Sequence, residues 1–460
     1  MAELIASPIQ PRSQDDRFGS GRGGPAGLSV LDRVVIINDD CVNSGGAAAV
    51  AILSAKILRS MGLSVTFATG DLSGREELLD LGVDIVTLGG RHLLEGARTF
   101  AAVRGLYDQA TRSALASWIQ ANDTPGTIYH LHNWHKVLSP SVFSPLSGIG
   151  GRLALTLHDF FLVCPNGGFF DFQAGKVCER RPLSRDCLMT SCDKRSVTHK
   201  AWRTVRHLVR QHILDVSTTE ATIVVVHDGM RDLLALSGIS NHAITTVRNP
   251  VTPWQSRRIE AERNRGFLFV GRLESDKGIH VLAEAARAAR ADLTVIGDGP
   301  LRHELEKKYP QITFLGRMRP DEIAVEAKRA RAVVVPSLVR ETFGLVVLEA
   351  AASGLPVIVS QSACIAREVE ENGMGLVCPA GNALALSRTL ESLRDDDARI
   401  ASLSRAAFTN ARRLIATPAE WGEQLVELYE KMLLPAASRR THEVTDAAVP
   451  ASHHAVEAGS

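Results

Sequence analysis

Residues 266–300 read GFLFVGRLESDKGIHVLAEAARAARADLTVIGDGP, and this stretch decides the fold. Gly266–Gly271 is a short apolar run rich in Phe, Leu and Val. It is bounded by glycine and has the length of a strand buried on both faces rather than of a helix. A polar loop follows, then a helical stretch from Ile279. A second apolar run, Asp292–Gly297, closes on the tight turn Gly297-Asp298-Gly299-Pro300. Strand, loop, helix and strand in succession make the unit of a parallel sheet, because parallel neighbours need a crossover.

The pattern extends both ways. Downstream, Gln311–Leu315, Ala332–Val335, Pro356–Val359 and Gly375–Val377 are further strand candidates. Upstream, residues 248–265 (RNPVTPWQSRRIEAERNR) hold two Pro and many charges, and read as a linker. Before them the alternation runs again through Arg33–Ile37, Ser64–Ala68, Asp84–Leu88, Thr127–Leu131, Arg152–Leu157, Ala221–Val226 and His242–Val247. The expectation is α/β: two doubly wound domains in tandem, 30–250 and 251–416, then an amphipathic helix at 417–435. Residues 1–29, rich in Gly, Pro and Ser, and the small, polar residues 436–460 are expected to be disordered tails. Open parallel sheets bind ligands beyond the carboxyl ends of their strands, so two facing sheets would share a central cleft.

Composition excludes several classes. Of 460 residues, 45% are hydrophobic and 22% charged, with a formal net charge of +1. That balance is globular and gives no sign of a nucleic-acid partner. No apolar run is long enough for a membrane span, and the N-terminus lacks an apolar signal core, so the expected setting is cytoplasmic. Seven cysteines, an odd count, do not suggest a disulfide framework there.

Strand ends carry the chemistry. Gly45-Gly46 opens a helix after the first strand, where backbone amides can approach an anion, although an ordinary turn would look the same. Arg272 and Lys277 lie in one strand-end loop, a forked and a compact cation suited to a diphosphate. Glu341 precedes a helix whose first residues, Phe343, Gly344 and Leu345, could hold a phosphate at its N-terminus. Glu349 lies about two turns inside that helix among apolar neighbours, where a carboxylate needs partners such as sugar hydroxyls.

Taken together, G-R-L-x-x-x-K-G at 271–278, G-D-G-P at 297–300, E-x-F-G-L with a second Glu at 341–349, and A-x-G-L-P-V-I at 352–358 resemble the family-4 retaining glycosyltransferases of the GT-B fold (glycosyl transferases group 1). Asn249-Pro250-Val251 resembles that family's hinge and Thr156-Leu157-His158-Asp159 its strand-end His-Asp. The resemblance covers about residues 33–434 and is looser in the first domain. It implies two Rossmann-like domains facing a cleft, with a C-terminal crossing helix. It implies metal-independent transfer of a sugar, with retention, from a UDP-, GDP- or ADP-linked donor to a glycan or lipid-linked acceptor, as in polysaccharide assembly. Arg272 and Lys277 would then hold the diphosphate, Glu349 the ribose, Glu341 the transferred sugar, and amides of Phe343–Leu345 the distal phosphate. Gly45 and Gly46 would close from the other domain, and His158 would sit beside the anomeric carbon. Two other readings stay open: a glycoside hydrolase or phosphorylase using Glu341 and Glu349, and a non-catalytic sugar-nucleotide binder.

The first domain carries an unusual insert, 159–193. Its Cys164, Cys178, Cys187 and Cys192 suit a structural zinc site, or are free thiols. No cofactor is expected for catalysis itself. Residues 194–214 hold six Lys or Arg, three His and no acid, with Trp202, Val205, Leu208, Val209 and Ile213 on one helical face. Such a helix could lie on an anionic membrane, or be an ordinary domain helix with a charged outer face. His132 and Trp134, at the end of strand 127–131, are acceptor-site candidates that could equally serve packing.

Overall fold

The structure is a computed structural model that describes residues 30–42, 45–89 and 98–435. The two expected tails and Asn43-Ser44 lie outside the described residues.

Each expected strand run holds a strand. In chain order they are β1 (Arg33–Asp40), β2 (Ser64–Asp71), β3 (Asp84–Thr87), β4 (Thr127–Leu131), β5 (Leu153–Leu157), β6 (Phe170–Asp171), β7 (Lys176–Val177), β8 (Thr222–Val225) and β9 (Ile244–Thr246). Then follow β10 (Gly266–Val270), β11 (Leu293–Ile296), β12 (Thr313–Gly316), β13 (Ala330–Val335), β14 (Val357–Ser360) and β15 (Gly375–Cys378). The first sheet has the order β3-β2-β1-β4-β5-β8-β9 and the second β12-β11-β10-β13-β14-β15, each parallel throughout. Val34, Val35, Ile36 and Ile37 are wholly buried on successive faces of β1, as apolar runs between two helical layers must be. The short antiparallel pair β6–β7 lies in the insert, too short for its pattern to stand out in the sequence.

Glycines let the strand-end loops of the second sheet pack backbone on backbone. At Gly278 (φ 69°) an added Cβ would lie 2.0 Å from the Pro336 carbonyl oxygen. At Gly297 (φ 140°) it would lie 1.8 Å from that of Gly271. The G-R-L-x-x-x-K-G and G-D-G-P segments are thus one layer, and the glycines are what allow it.

The helix Pro418–Leu433 starts on a capping box between Thr417 and Glu420. It returns to the first domain: Trp421, Leu425, Leu428, Tyr429 and Met432 join a core that includes Ile36, Leu58 and Phe67. Gly422 permits the crossing, because an added Cβ there would stand 2.4 Å from Ile57 Cγ2 on the helix Gly46–Ser60.

The basic helix Val197–Ile213 inverts the ordinary arrangement. Lys200, Arg206, His207 and Arg210 are buried, whereas Val197, Val205 and Leu208 are exposed. Each inward cation has protein partners of its own. Arg206 donates to the carbonyls of His135 (2.9 Å) and Leu138 (3.2 Å), and lies over the rings of Trp134 (5.0 Å) and Trp202 (5.4 Å). Neither an outward charged face nor burial of the whole apolar stripe describes this helix.

Candidate functional site

The carboxyl ends of the two sheets face each other. Gly46, first residue of the helix after β1, is opposed by Leu345, first residue of the helix Leu345–Ala352. A Cβ on Gly46 would be 3.6 Å from Leu345 Cδ1. Two helix N-termini, each with unpaired leading amides, therefore converge on one place. Gly344 adopts the left-handed conformation (φ 81°) that turns the chain into the second helix. The domains also touch directly, with Thr342 Oγ1 donating to the His158 carbonyl at 2.8 Å. The sequence-predicted residues of β1, β5 and the second domain are thus brought together.

Lys277 reaches the Glu341 carboxylate at 2.7 Å, and Ser337 Oγ donates to the same oxygen at 3.0 Å. Burial pushes this carboxyl up, but Lys277, Ser337 and Arg272 outweigh it and hold Glu341 below its ordinary range. Arg272 is largely exposed at the loop's rim and pairs with Glu274 at 2.7 Å. Glu274 and Asp276 are each met by Lys194 at 3.1 Å, so the residue just past the insert reaches across to the cation loop. Glu349 has different surroundings. Burial pushes its carboxyl up to about 7, against the pull of a hydrogen bond from the Trp254 side chain. Trp254 was not visible as a site residue; its only signal was an aromatic in the linker just past the hinge.

The histidines form a connected group. His158 Nε2 and His132 Nδ1 are 2.9 Å apart with their rings stacked. His130, behind His132, bonds Tyr429 Oη on the crossing helix (2.7 Å) and Thr156 Oγ1 (2.6 Å). Burial lowers His158 to about 4, so it is neutral at ordinary pH. Asp159 is pushed up to about 6 by burial, with its Oδ1 accepting from the Phe161 amide. His132 is a buried partner of His158 rather than an open contact surface. Trp134 packs edge-on against Phe143 (5.1 Å) in the core, so its ring is not presented to an acceptor.

The insert's cysteines gather around Lys200. Its ammonium lies 3.3 Å from Cys192 Sγ and 3.7 Å from Cys187 Sγ. Asn166 links Cys164 (3.1 Å) and Cys192 (3.3 Å), and Arg180 approaches Cys178 at 3.5 Å. Among the described residues no group of three or more His, Cys, Asp or Glu is arranged to hold a metal ion. The zinc expectation therefore gains no support from geometry: the positive charge beside these sulfurs comes from Lys200 and Arg180.

This architecture is the GT-B fold. Solved structures that share it include sucrose-phosphate synthase from Thermosynechococcus elongatus (TM-score 0.63, 17% identity, 87% of this chain and 99% of that one). Another is Anabaena HepE in complex with UDP and glucose (TM-score 0.58, 15% identity, 86% and 98%). Residues 253–413 match the family model described as Glycosyl transferases group 1. Over 205 residues the chain is 30% identical to a glycogen synthase of Mycobacterium tuberculosis, a match covering 41% of this chain and 48% of that protein. A D-inositol 3-phosphate glycosyltransferase of Corynebacterium urealyticum is 27% identical over 419 residues, covering 82% and 89%. The chain spans about half the length of the glycogen synthase it matches.

Proposed function

We propose that this protein is a retaining, metal-independent glycosyltransferase that moves a sugar from a nucleoside diphosphate sugar to a glycan or lipid-linked acceptor. The observation that carries the reading is the convergence of two helix N-termini, from different domains, beside Lys277 and Arg272. That place suits a diphosphate leaving group. Fixed amides and two cations would stabilise the charge that develops as the sugar–phosphate bond breaks, without a divalent ion. Glu349 would accept from the ribose hydroxyls, Glu341 would contact the transferred sugar, and His158 would lie beside the reacting carbon. The match of residues 253–413 to glycosyl transferases group 1 and the UDP bound to Anabaena HepE support the donor class. The test is release of nucleoside diphosphate from UDP-, GDP- and ADP-sugars in the presence of glycan acceptors. Release of free sugar from simple glycosides, with no use of nucleotide sugars, would instead favour hydrolysis by Glu341 and Glu349.

Exposed Val197, Val205 and Leu208, with Phe100 and Val103 on the neighbouring helix Arg98–Leu106, favour a second element of this reading. Through this apolar stripe, with exposed Lys194 and Arg195 at the start of the 194–214 segment, the protein would rest on an anionic membrane that presents a lipid-linked acceptor. Among the described residues no helix is long and apolar enough to cross a membrane. Sedimentation with phosphatidylglycerol vesicles, abolished by Val205→Glu with Leu208→Glu, is the expected result. Equal sedimentation of the variant would remove this element.

A further inference from the structure

Three histidines stand in a row at the carboxyl ends of β4 and β5. His158, just past β5, is partly exposed. His132, just past β4, is 4% exposed, and His130 behind it is fully buried. The His130 and His132 rings lie 4.1 Å apart, and those of His132 and His158 5.2 Å apart and stacked. The backbone of the front ring is pinned from the other domain, because the His158 carbonyl accepts from Thr342 Oγ1 at 2.8 Å.

Their ring nitrogens can be accounted for one by one. His130 has both taken, Nδ1 by Tyr429 Oη and Nε2 by Thr156 Oγ1, so it has none to offer His132. His132 Nδ1 faces His158 Nε2 at 2.9 Å. His132 Nε2 is buried and has no partner. His158 Nδ1 also has no partner among the described residues, but it is not sealed from solvent. It is therefore the one ring nitrogen of the row left for a ligand.

Burial keeps the His132 and His158 rings neutral, so each carries one proton and a single proton lies between the two facing nitrogens. If that proton belonged to His158, His132 would carry its own on Nε2, an N–H shut away without an acceptor. If it belongs to His132, Nε2 is only a bare acceptor, and His158 carries its proton on Nδ1. An orphaned N–H is the rarer fault in a folded interior, which favours the second arrangement.

We infer that His132 is a positioning residue, which holds His158 in the Nδ1–H tautomer and so gives the cleft a fixed hydrogen-bond donor for a substrate oxygen. The hydrogen bond made by one ring nitrogen sets the proton on the other, and an unrestrained neutral imidazole would carry it on either. The tautomer follows from the geometry of the resting chain, and its use in sugar transfer rests on the proposed function.

Nitrogen NMR on the full chain with isotope-labelled histidine reads the tautomer, and His158→Gln identifies the signals. The expected result is His158 protonated on Nδ1 alone, with a coupling across the hydrogen bond from His132 Nδ1 to His158 Nε2. His132→Leu should give a mixture of both tautomers. His132→Asn, whose side-chain amide can donate in place of Nδ1, should restore the single form. With whichever UDP-, GDP- or ADP-linked sugar the chain turns over, kcat/KM should fall about tenfold in His132→Leu, the scale of one lost hydrogen bond, and recover most of that in His132→Asn. Affinity for the matching nucleoside diphosphate, which lacks the sugar, should be the same in both variants. His158 protonated on Nε2, a tautomer that His132→Leu leaves unchanged, or turnover that His132→Leu leaves unchanged overturns the inference. The expected tautomer in a chain that turns over no nucleotide sugar would uphold the positioning by His132 and count against the proposed function.

Discussion

Glu349 combines a raised ionisation range with the ribose-binding role proposed for it, and together these give donor binding a pH signature. Its carboxyl is pushed up to about 7, so the carboxylate is present above that pH and is lost below it. A neutral carboxyl is a poorer acceptor for two hydroxyls. Donor affinity should therefore be full near pH 8 or above and fall as the pH drops through about 7. Hydroxyl bonds to the charged form should draw protonation downwards, so binding near pH 7 should release protons. Calorimetry in buffers of different ionisation enthalpy reads this directly, and Glu349→Gln should flatten the profile. Glu349→Ala should weaken donor binding by about 2 kcal/mol, the scale for a lost buried acceptor. Unchanged affinity would dismiss the ribose assignment. Lys277 has a double role: it holds Glu341 ionised and faces the place proposed for the diphosphate. Lys277→Ala with Arg272→Ala should abolish nucleoside diphosphate release while leaving the far-ultraviolet dichroism intact, since both side chains lie in a strand-end loop.

At the scale of the element, the crossing helix and the inverted helix make opposite demands on substitution. Gly422→Val would drive side-chain atoms into Ile57, already 2.4 Å from an added Cβ, and overpacking of this kind costs about 1–3 kcal/mol. Tyr429→Phe removes the partner of His130 Nδ1 inside the core, at a cost of about 1–3 kcal/mol. Urea unfolding measures both, and a Tyr429→Phe variant as stable as the parent would mean that the bond to His130 is energetically idle. On the helix Val197–Ile213 the polarity of the rule is reversed. Val205→Ser and Leu208→Ser should change stability by within about 0.5 kcal/mol, as surface changes do. Arg206→Met should instead be costly, because it strands the carbonyls of His135 and Leu138 and removes a guanidinium held between two indoles.

For the whole molecule, the contacts between domains set what a ligand can do. Arg248 makes a paired contact with Glu368 at 2.9 and 2.7 Å beside the hinge segment, and Thr342 reaches the His158 carbonyl. A nucleotide bridging Gly46 and Leu345 should stabilise the folded chain by mass action, by about 2.7 kcal/mol at a hundredfold excess over Kd. The melting temperature should rise with UDP, GDP or ADP, identifying the base, and turnover should survive EDTA. Activity lost to EDTA and restored by manganese or magnesium would overturn the metal-independent part of the proposed function.

The sequence by itself determined the strands, their parallel arrangement and the approximate place of the candidate site. Short Val- and Ile-rich runs can be buried on both faces in few other ways, and glycines at loops 271–278 and 297–300 report local backbone demands. It also placed Arg272, Lys277 and Glu341 near one another, because strand-end loops of one parallel sheet share an edge. Tertiary structure alone decided what depends on partners distant in the chain. Trp134 looked like a candidate for sugar stacking until Phe143 and Arg206 enclosed it. His132 became a partner of His158, with His130 behind it tied to Tyr429 from the far end of the chain. The helix Val197–Ile213 has one amphipathic pattern, yet which face turns inward depends on the carbonyls and aromatic rings waiting for its cations. Periodicity fixes that a helix has two faces, and only the surface it packs against decides which one is buried.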